Sequence, residues 1–330
     1  MKEIIRTLTE AYGPSGDEGQ VRALIEEMVR EVVTEMRTDP LGNLIALKKG
    51  TGGGKRVMIA AHMDEIGLIV THIDKKGFLR VGRVGGVFAP TLMGGRVRFA
   101  NGTVGVIGSE KWLRSNDAPK WEEVFIDVGA TSPDDAPVRV GDVACFSRPY
   151  EEMGDRLIAK AMDDRAGCAV LVQALRDLGE SPHDVYAVFT TQEEVGTRGA
   201  VVSAFGIEPE VALAIDVTDT GDVPEAPPMA VDLGAGPAVK VMDRGFLSHP
   251  GVKQWMIDGA ERLGIPYQRE VLQLGSTDAR AIQMSRAGVP TGALSLPARY
   301  IHSPSEMVDL RDLQGASNLL VGLLKEPIAL

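Results

Sequence analysis

Two histidines and several acids of this chain close apolar runs or stand just ahead of helices: His62 with Asp64, Asp163, Glu193 with Glu194, Asp216, and His302. A carboxylate ending VALAID (211–216), or an imidazole ending VMIAAH (57–62), is costly to desolvate unless a metal, a partner charge or hydrogen bonds compensate. Their recurrence points to one metal site. His62 and Asp64 are two apart at a strand's C-terminal end, so both side chains leave on one side, and Asp64 can accept from the ring nitrogen that is not on the metal. AMDDRAG (161–167) sets two acids before a helix. One of Asp163 and Asp164 suffices as a cap, the other is available to bridge ions, and Arg165 can neutralise the neighbour. In TQEEVGTRGA (191–200) adjacent glutamates repel unless cations hold them. One carboxylate on a metal and one free to take a proton from water resolves the conflict.

Singly, these motifs read as a helix cap, a solvated helix start or a structural histidine. Jointly, two histidines and three carboxylates are the hard and borderline donor set suited to Zn²⁺, Co²⁺ or Mn²⁺. With one carboxylate bridging, five residues give three ligands to each of two ions and leave room for a shared hydroxide. His72 and His183 read as surface residues, and His249 opens a helix with no visible partner. The absence of a GxSxG elbow disfavours a Ser/His/Asp hydrolase.

The elements that must position these groups follow from periodicity. Residues 2–11 are amphipathic, and Ser15 and Glu18 have capping-box spacing ahead of a second helix at about 18–33. NLIALKK and KRVMIAAH read as strands joined by the glycine-rich loop GTGGGK, a hairpin turn and not a phosphate cradle. Between about 69 and 150, short alternating runs punctuated by Gly, Asn, Asp and Pro predict a small all-β barrel or sandwich. Within it GGVFAPTLMGG (85–95) lacks a helical or strand period and reads as an interface loop. From 158 onward helices alternate with apolar strands, HSPSEM (302–307) reads as a loop, and a helix closes the chain from about 309. The expectation is an α/β domain with a largely parallel central sheet, interrupted by the β insertion.

Composition bounds the rest. A chain of 330 residues, 44% of them apolar, is long enough for two cores. Its formal net charge of −11 argues against nucleic acid and against an anionic membrane surface. Cys145 and Cys168 lie in apolar settings without CxxC spacing and read as core residues in a reducing compartment. The N-terminus lacks a signal peptide's apolar core and no stretch approaches 18 apolar residues, so a cytoplasmic location is expected.

The order AAHMDEIG, AMDDRAG, TQEEVGTRGA, AIDVT, GSTDA and RYIHSPSEM closely resembles the dinuclear-metal aminopeptidases of the tetrahedral (TET) type, metallopeptidase family 42, which includes deblocking and glutamyl aminopeptidases. The resemblance spans essentially the whole chain, with PSGDE and the β insertion. It implies a zinc-peptidase α/β sandwich over 1–68 and 151–330 and a PDZ-like dimerisation domain over 69–150. It also implies that His62, Asp163 and Asp216 bind one divalent ion and Asp163, Glu194 and His302 the other, with Asp163 bridging. By the same resemblance Glu193 is the general base, Asp64 the partner of His62, and zinc the ion, with cobalt or manganese as alternatives. Dimers would assemble into a hollow tetrahedral dodecamer that takes short or unfolded peptides.

Many such proteins read GGTDAG where this chain has GSTDAR, so Ser276 and Arg280 differ near the expected substrate side. Arg280 reads as a helix-surface residue paired with Asp278 or another acid, and the expected preference is for neutral, mainly aliphatic N-terminal residues. Two alternatives stand: a dinuclear amidohydrolase acting on N-acylated amino acids, and a non-enzymatic peptide-binding assembly protein. The second needs a missing ligand or base, and none is missing.

Overall fold

The computed structural model describes residues 1–110 and 117–330. The apolar runs Asp184–Thr190, Arg56–His62, Val211–Thr218 and Thr291–Arg299 lie side by side in that order, every neighbour parallel. All residues of Val211–Thr218 are buried, as a strand covered on both faces requires. Side chains alternate between the faces. Val57, Ile59, Ala61, Leu213 and Ile215 pack with the helices Lys2–Glu10, Gly19–Val29, Met162–Asp177 and Leu310–Leu324. Met58, Ala60 and Ala212 pack with Arg198–Ile207 and Asp278–Gln283 on the other face.

Outside this centre every pairing but one is antiparallel, so the sheet is mixed and not largely parallel throughout. Leu44–Lys48 and then Glu35–Thr38 extend one side, and Glu306–Asp309, Arg156–Ala159 and Glu151–Met153 extend the other. Ala238–Met242 also pairs antiparallel with Thr291–Arg299 and carries Gln268–Val271 parallel to itself. Tight turns join the outermost antiparallel pairs, Glu35–Thr38 with Leu44–Lys48 and Glu151–Met153 with Arg156–Ala159. One is built on Asp39, whose Oδ1 accepts from the amides of Leu41, Gly42 and Asn43 at 3.0 Å each.

Several local expectations are corrected. GTGGGK is not a hairpin turn, since Asp184–Thr190 lies between the two strands it connects; Gly50 and Gly54 pack instead against the backbone of Pro182 and His183. His183 is buried, its Nδ1 accepting from Lys55 N at 2.9 Å. The second helix ends at Val29. Ser15 and Glu18 form no capping box and turn toward the site described below. HSPSEM is a loop only as far as Ser305, after which Glu306–Asp309 is a strand.

The insertion is a closed barrel of the strands Gly67–Ile73, Leu79–Val84, Val124–Asp127, Val104–Ser109, Arg96–Phe99 and Val143–Phe146. Leu68, Val70, Val81, Phe99, Ile107, Ile126 and Phe146 fill it. GGVFAPTLMGG belongs largely to this core and is not a free loop: Val87, Ala89 and Leu92 are buried there around a single tight turn, Ala89–Thr91, and Phe88 alone of these apolar residues is exposed. One turn of that kind has too short a period to register in the sequence. Cys145 and Cys168 are buried and unpaired. Among the described residues no helix is long and apolar enough to cross a membrane.

Candidate active site

The carboxyl ends of the parallel strands converge on one point, where open α/β sheets place their sites. His62 is the last residue of Arg56–His62, Asp216 lies near the end of Val211–Thr218, Glu193 and Glu194 follow Asp184–Thr190, and His302 follows Thr291–Arg299. Asp163 arrives from the start of Met162–Asp177. His62 Nε2 lies 2.9 Å from Asp163 Oδ1 and 3.8 Å from Asp216 Oδ1. His302 Nε2 lies 3.4 Å from Asp163 Oδ2 and 3.2 Å from Glu194 Oε2. Asp163 therefore turns one oxygen to each histidine, the geometry a bridging carboxylate requires.

The paired aspartates differ in their backbone contacts. Asp164 is fully buried, its Oδ1 accepting from Gly167 N at 3.0 Å and its Oδ2 from His62 N at 3.3 Å, which is the work of a cap. Its carboxylate nonetheless lies within 4.8 Å of donor atoms of both His62 and Asp216. Arg165 does not neutralise that neighbour. It is buried against the carbonyls of Met63, Leu8 and Gly13 and against Glu65, whose carboxylate Lys160 also holds at 2.7 and 2.8 Å.

Asp64 is a hub. His62 Nδ1 donates to its backbone oxygen at 3.1 Å, with the carboxylate 3.4 Å away, so the ring is held more by carbonyl than by side chain. The freed carboxylate accepts from Glu193 N at 2.9 Å, from Glu194 N at 3.2 Å and from Ser15 Oγ at 2.5 Å. It thereby fixes the loop that carries both glutamates. Gln192, just ahead of them, has φ +55°, a left-handed conformation costing roughly 1–2 kcal/mol in a residue with a Cβ.

The site holds more acid than its two imidazoles can neutralise. Burial alone would lower both histidines, but Asp163 with Asp64 keeps His62 well above the ordinary imidazole range, and Asp163 with Glu194 pushes His302 up to about 12. Asp163 is held below the usual carboxylate range because these two rings outweigh its burial. Burial, then Asp216, Asp278 and Glu194, raises Glu193 well above that range; burial, then Asp163 and Asp278, does the same to Asp216. Asp278 is pushed up to about 6, chiefly by burial. Crowded acids that cannot all ionise are what bound cations relieve. Glu194 Oε1 is buried and finds no hydrogen-bond partner among the described residues, and the donor atoms of His62, Asp163 and Glu194 lie within 4.8 Å of one another. The residues fit divalent ions.

The sequence profile described as M42 glutamyl aminopeptidase matches residues 42–319. The chain belongs to this family. An aminopeptidase from the archaeon Desulfurococcus kamchatkensis has the same fold, with a TM-score of 0.95 at 44% identity over 99% of this chain and 95% of its own. The lysyl aminopeptidase of Pyrococcus furiosus is 37% identical over 98% of this chain and 96% of its own length. The TET1 peptidase of Pyrococcus horikoshii, which can assemble into a tetrahedron or a large octahedral shell, aligns with a TM-score of 0.87 at 33% identity, covering 98% of this chain and 99% of its own.

Some members of the site escape sequence reasoning. Glu306 is buried, accepting from Asp163 N at 3.0 Å and His302 N at 2.9 Å, and so ties the two segments together. It lies in a stretch read as loop, where an acid carries no signal. Gly85 and Gly86 bring the barrel against the site: a Cβ on Gly85 would lie 3.2 Å from Glu194 Oε2, and one on Gly86 2.6 Å from His302 Cε1. A residue that acts by having no side chain leaves nothing to read.

Proposed function

We propose that the chain is a metal-dependent aminopeptidase removing N-terminal residues from short peptides, with Glu193 as general base. The observation that carries this is the convergence of two imidazoles and three carboxylates beside Glu193, whose own carboxylate forms no hydrogen bond among the described residues. His62, Asp163 and Asp216 would hold one divalent ion and Asp163, Glu194 and His302 a second, zinc suiting the donors best and cobalt or manganese being compatible. When bound, such ions polarise the scissile carbonyl and acidify water. Glu193 takes the water's proton on a carboxylate oxygen and passes it to the leaving amine nitrogen, a task suited to a carboxyl that burial raises well above the ordinary carboxylate range. Asp64 aims this base through the Glu193 amide while steadying the His62 ring.

Lysyl and glutamyl aminopeptidases both occur among the relatives, so membership leaves preference open. A cavity of about 620 Å³ adjoins the site through Tyr300 and Asp219, with Val223, Pro227, Met229, Leu272 and Leu274 among its walls. Its one arginine, Arg299, is paired with Asp222 at 3.0 and 2.6 Å. This supports a preference for neutral, mainly aliphatic residues. Arg280 is exposed against Gly245, and no ion pair joins it to Asp278, which instead accepts from Thr190 Oγ1 at 2.5 Å. The assembly proposed is a homo-oligomer, dimers joined through the barrel and gathered into a tetrahedral shell like that of the TET1 relative.

Metal-stripped protein given Zn²⁺, Co²⁺ or Mn²⁺ should release leucine from leucyl peptides, faster than glutamate or lysine from their counterparts at fixed ionic strength. Hydrolysis of acetylated peptides in place of free ones would make it an amidohydrolase. A glutamyl preference abolished in Arg280→Ala would make Arg280 the selector.

A further inference from the structure

We propose that Glu18 and Ser15 are positioning residues that clamp the backbone of Gln192, Glu193 and Glu194 and so set where Glu193 works. The inference rests on the reading of Glu193 as the base. Three successive amides of that loop donate to carboxylates from elsewhere in the chain: Gln192 N to Glu18 Oε1 at 3.2 Å, Glu193 N to Asp64 Oδ1 at 2.9 Å, and Glu194 N to Asp64 Oδ2 at 3.2 Å. Ser15 Oγ donates to the same Asp64 Oδ2 at 2.5 Å. One four-residue turn therefore supplies one of the two carboxylates and braces the other.

Glu18 is 4% exposed, and among the described residues no lysine or arginine pairs with it. A buried carboxylate without a cation is costly unless hydrogen bonds replace its water, and here the amides of Gly16, at 2.7 Å, and Gln192 do so. The bond to Gln192 holds that residue's left-handed turn, from which the Glu193 and Glu194 side chains depart. The turn is itself firmly mounted. Ser15 N donates to Glu65 O at 3.2 Å and Glu65 N to Gly13 O at 3.1 Å, while Lys160 and Arg165 anchor the Glu65 side chain. A stability role alone would be served as well by an apolar residue at position 18. A carboxylate aimed at the amide before the two glutamates is instead what orientation of the base demands.

The test compares parent, Glu18→Ala, Glu18→Gln and Ser15→Ala as full-length, Zn²⁺-loaded protein. Hydrogen exchange over residues 191–197, kcat and KM on leucyl p-nitroanilide, metal content and Tm are measured. Glu18→Ala should speed exchange in that segment about tenfold and lower kcat about tenfold or more, with KM within twofold and metal content unchanged. Glu18→Gln keeps an acceptor oxygen and should stay within about threefold of the parent in both. Unchanged exchange in Glu18→Ala, or a Glu18→Gln as impaired as Glu18→Ala, would overturn the proposal. Should Glu18→Ala not fold, Ser15→Ala decides by the same readings, since its bond reaches the loop through Asp64. A parent that hydrolyses no aminoacyl substrate would defeat the functional reading, while the exchange data would still decide the clamp.

Discussion

Gly86→Ala isolates the contact between the barrel and the candidate metal centre. An ideal Cβ there lies 2.6 Å from His302 Cε1 and closer still to Nδ1, where ordinary contact begins at 3.4 Å. Gly86 is not among the positive-φ glycines, so alanine meets no backbone penalty and the strain falls on the ring. Retreat of roughly 1 Å moves Nε2 away from Asp163 and Glu194, a displacement of the size that costs about 10²-fold in rate at a preorganised site. Loss of a ligand's support typically costs about 10–100-fold in metal affinity. The backbone should gain slightly, because alanine restricts the unfolded chain by about 0.4–1 kcal/mol. The displaced ring gives up contacts with Asp163 and Glu194, so the expected signature is a metal-free Tm at or somewhat below the parent's, Zn²⁺ affinity by chelator competition down about 10–100-fold, and kcat/KM down about 10²-fold. A variant with parental affinity and rate would refute the claim that the barrel buttresses His302.

Glu193→Gln should keep its metal and lose about 10²–10⁴-fold in kcat, whereas Glu194→Gln should lose metal first; elemental analysis showing the reverse would exchange their roles. Metal binding should release protons and strengthen with pH. In the metal-free protein His62 and His302 are raised, so their protonated forms favour folding below an unfolded pKa of about 6.5, a contribution lost only as pH climbs through the folded values. Between pH 6 and 8 the His302 proton is still bound and must leave for Nε2 to coordinate, and His62 is raised in the same direction, so calorimetry in buffers of differing ionisation enthalpy should register proton release, and an affinity flat in pH would contradict the assignment. Excision of residues 69–150 should give a species smaller by light scattering and should also abolish activity, because the wall at Gly85 and Gly86 goes with it. An unchanged oligomer would move the interface to the α/β domain.

The strand-terminal groups were legible because desolvation makes them conspicuous: an acid closing VALAID is expensive, and the expense must be met nearby. His62, Asp163, Glu194, Asp216 and His302 do meet at one point, and the alternation of helix and strand foretold the layer that brings them there. Sheet order was not legible. Nothing in GTGGGK states that Asp184–Thr190 will slip between the strands it joins, because that choice is made by contacts more than a hundred residues away. Nor does local spacing reveal competing partners. Ser15 and Glu18 satisfy the capping-box pattern, yet both side chains are taken by deeper acceptors and donors, Asp64 and the Gln192 amide.

The same competition gives adjacent glutamates different surroundings. In sequence Glu193 and Glu194 are equivalent, and burial raises both. Their amides even share one carboxylate. What separates them is the next layer: Glu194 faces His302 across 3.2 Å beneath the Gly85–Gly86 wall, committed to that histidine and to whatever cation the pair holds. Glu193 forms no side-chain hydrogen bond among the described residues, which is what the proposed role of base requires of it. If the two glutamates divide the work as proposed, the division follows from which side chain the fold leaves unpartnered, and the segments that frame them, the N-terminal turn and the inserted barrel, are both distant in sequence from the glutamates themselves.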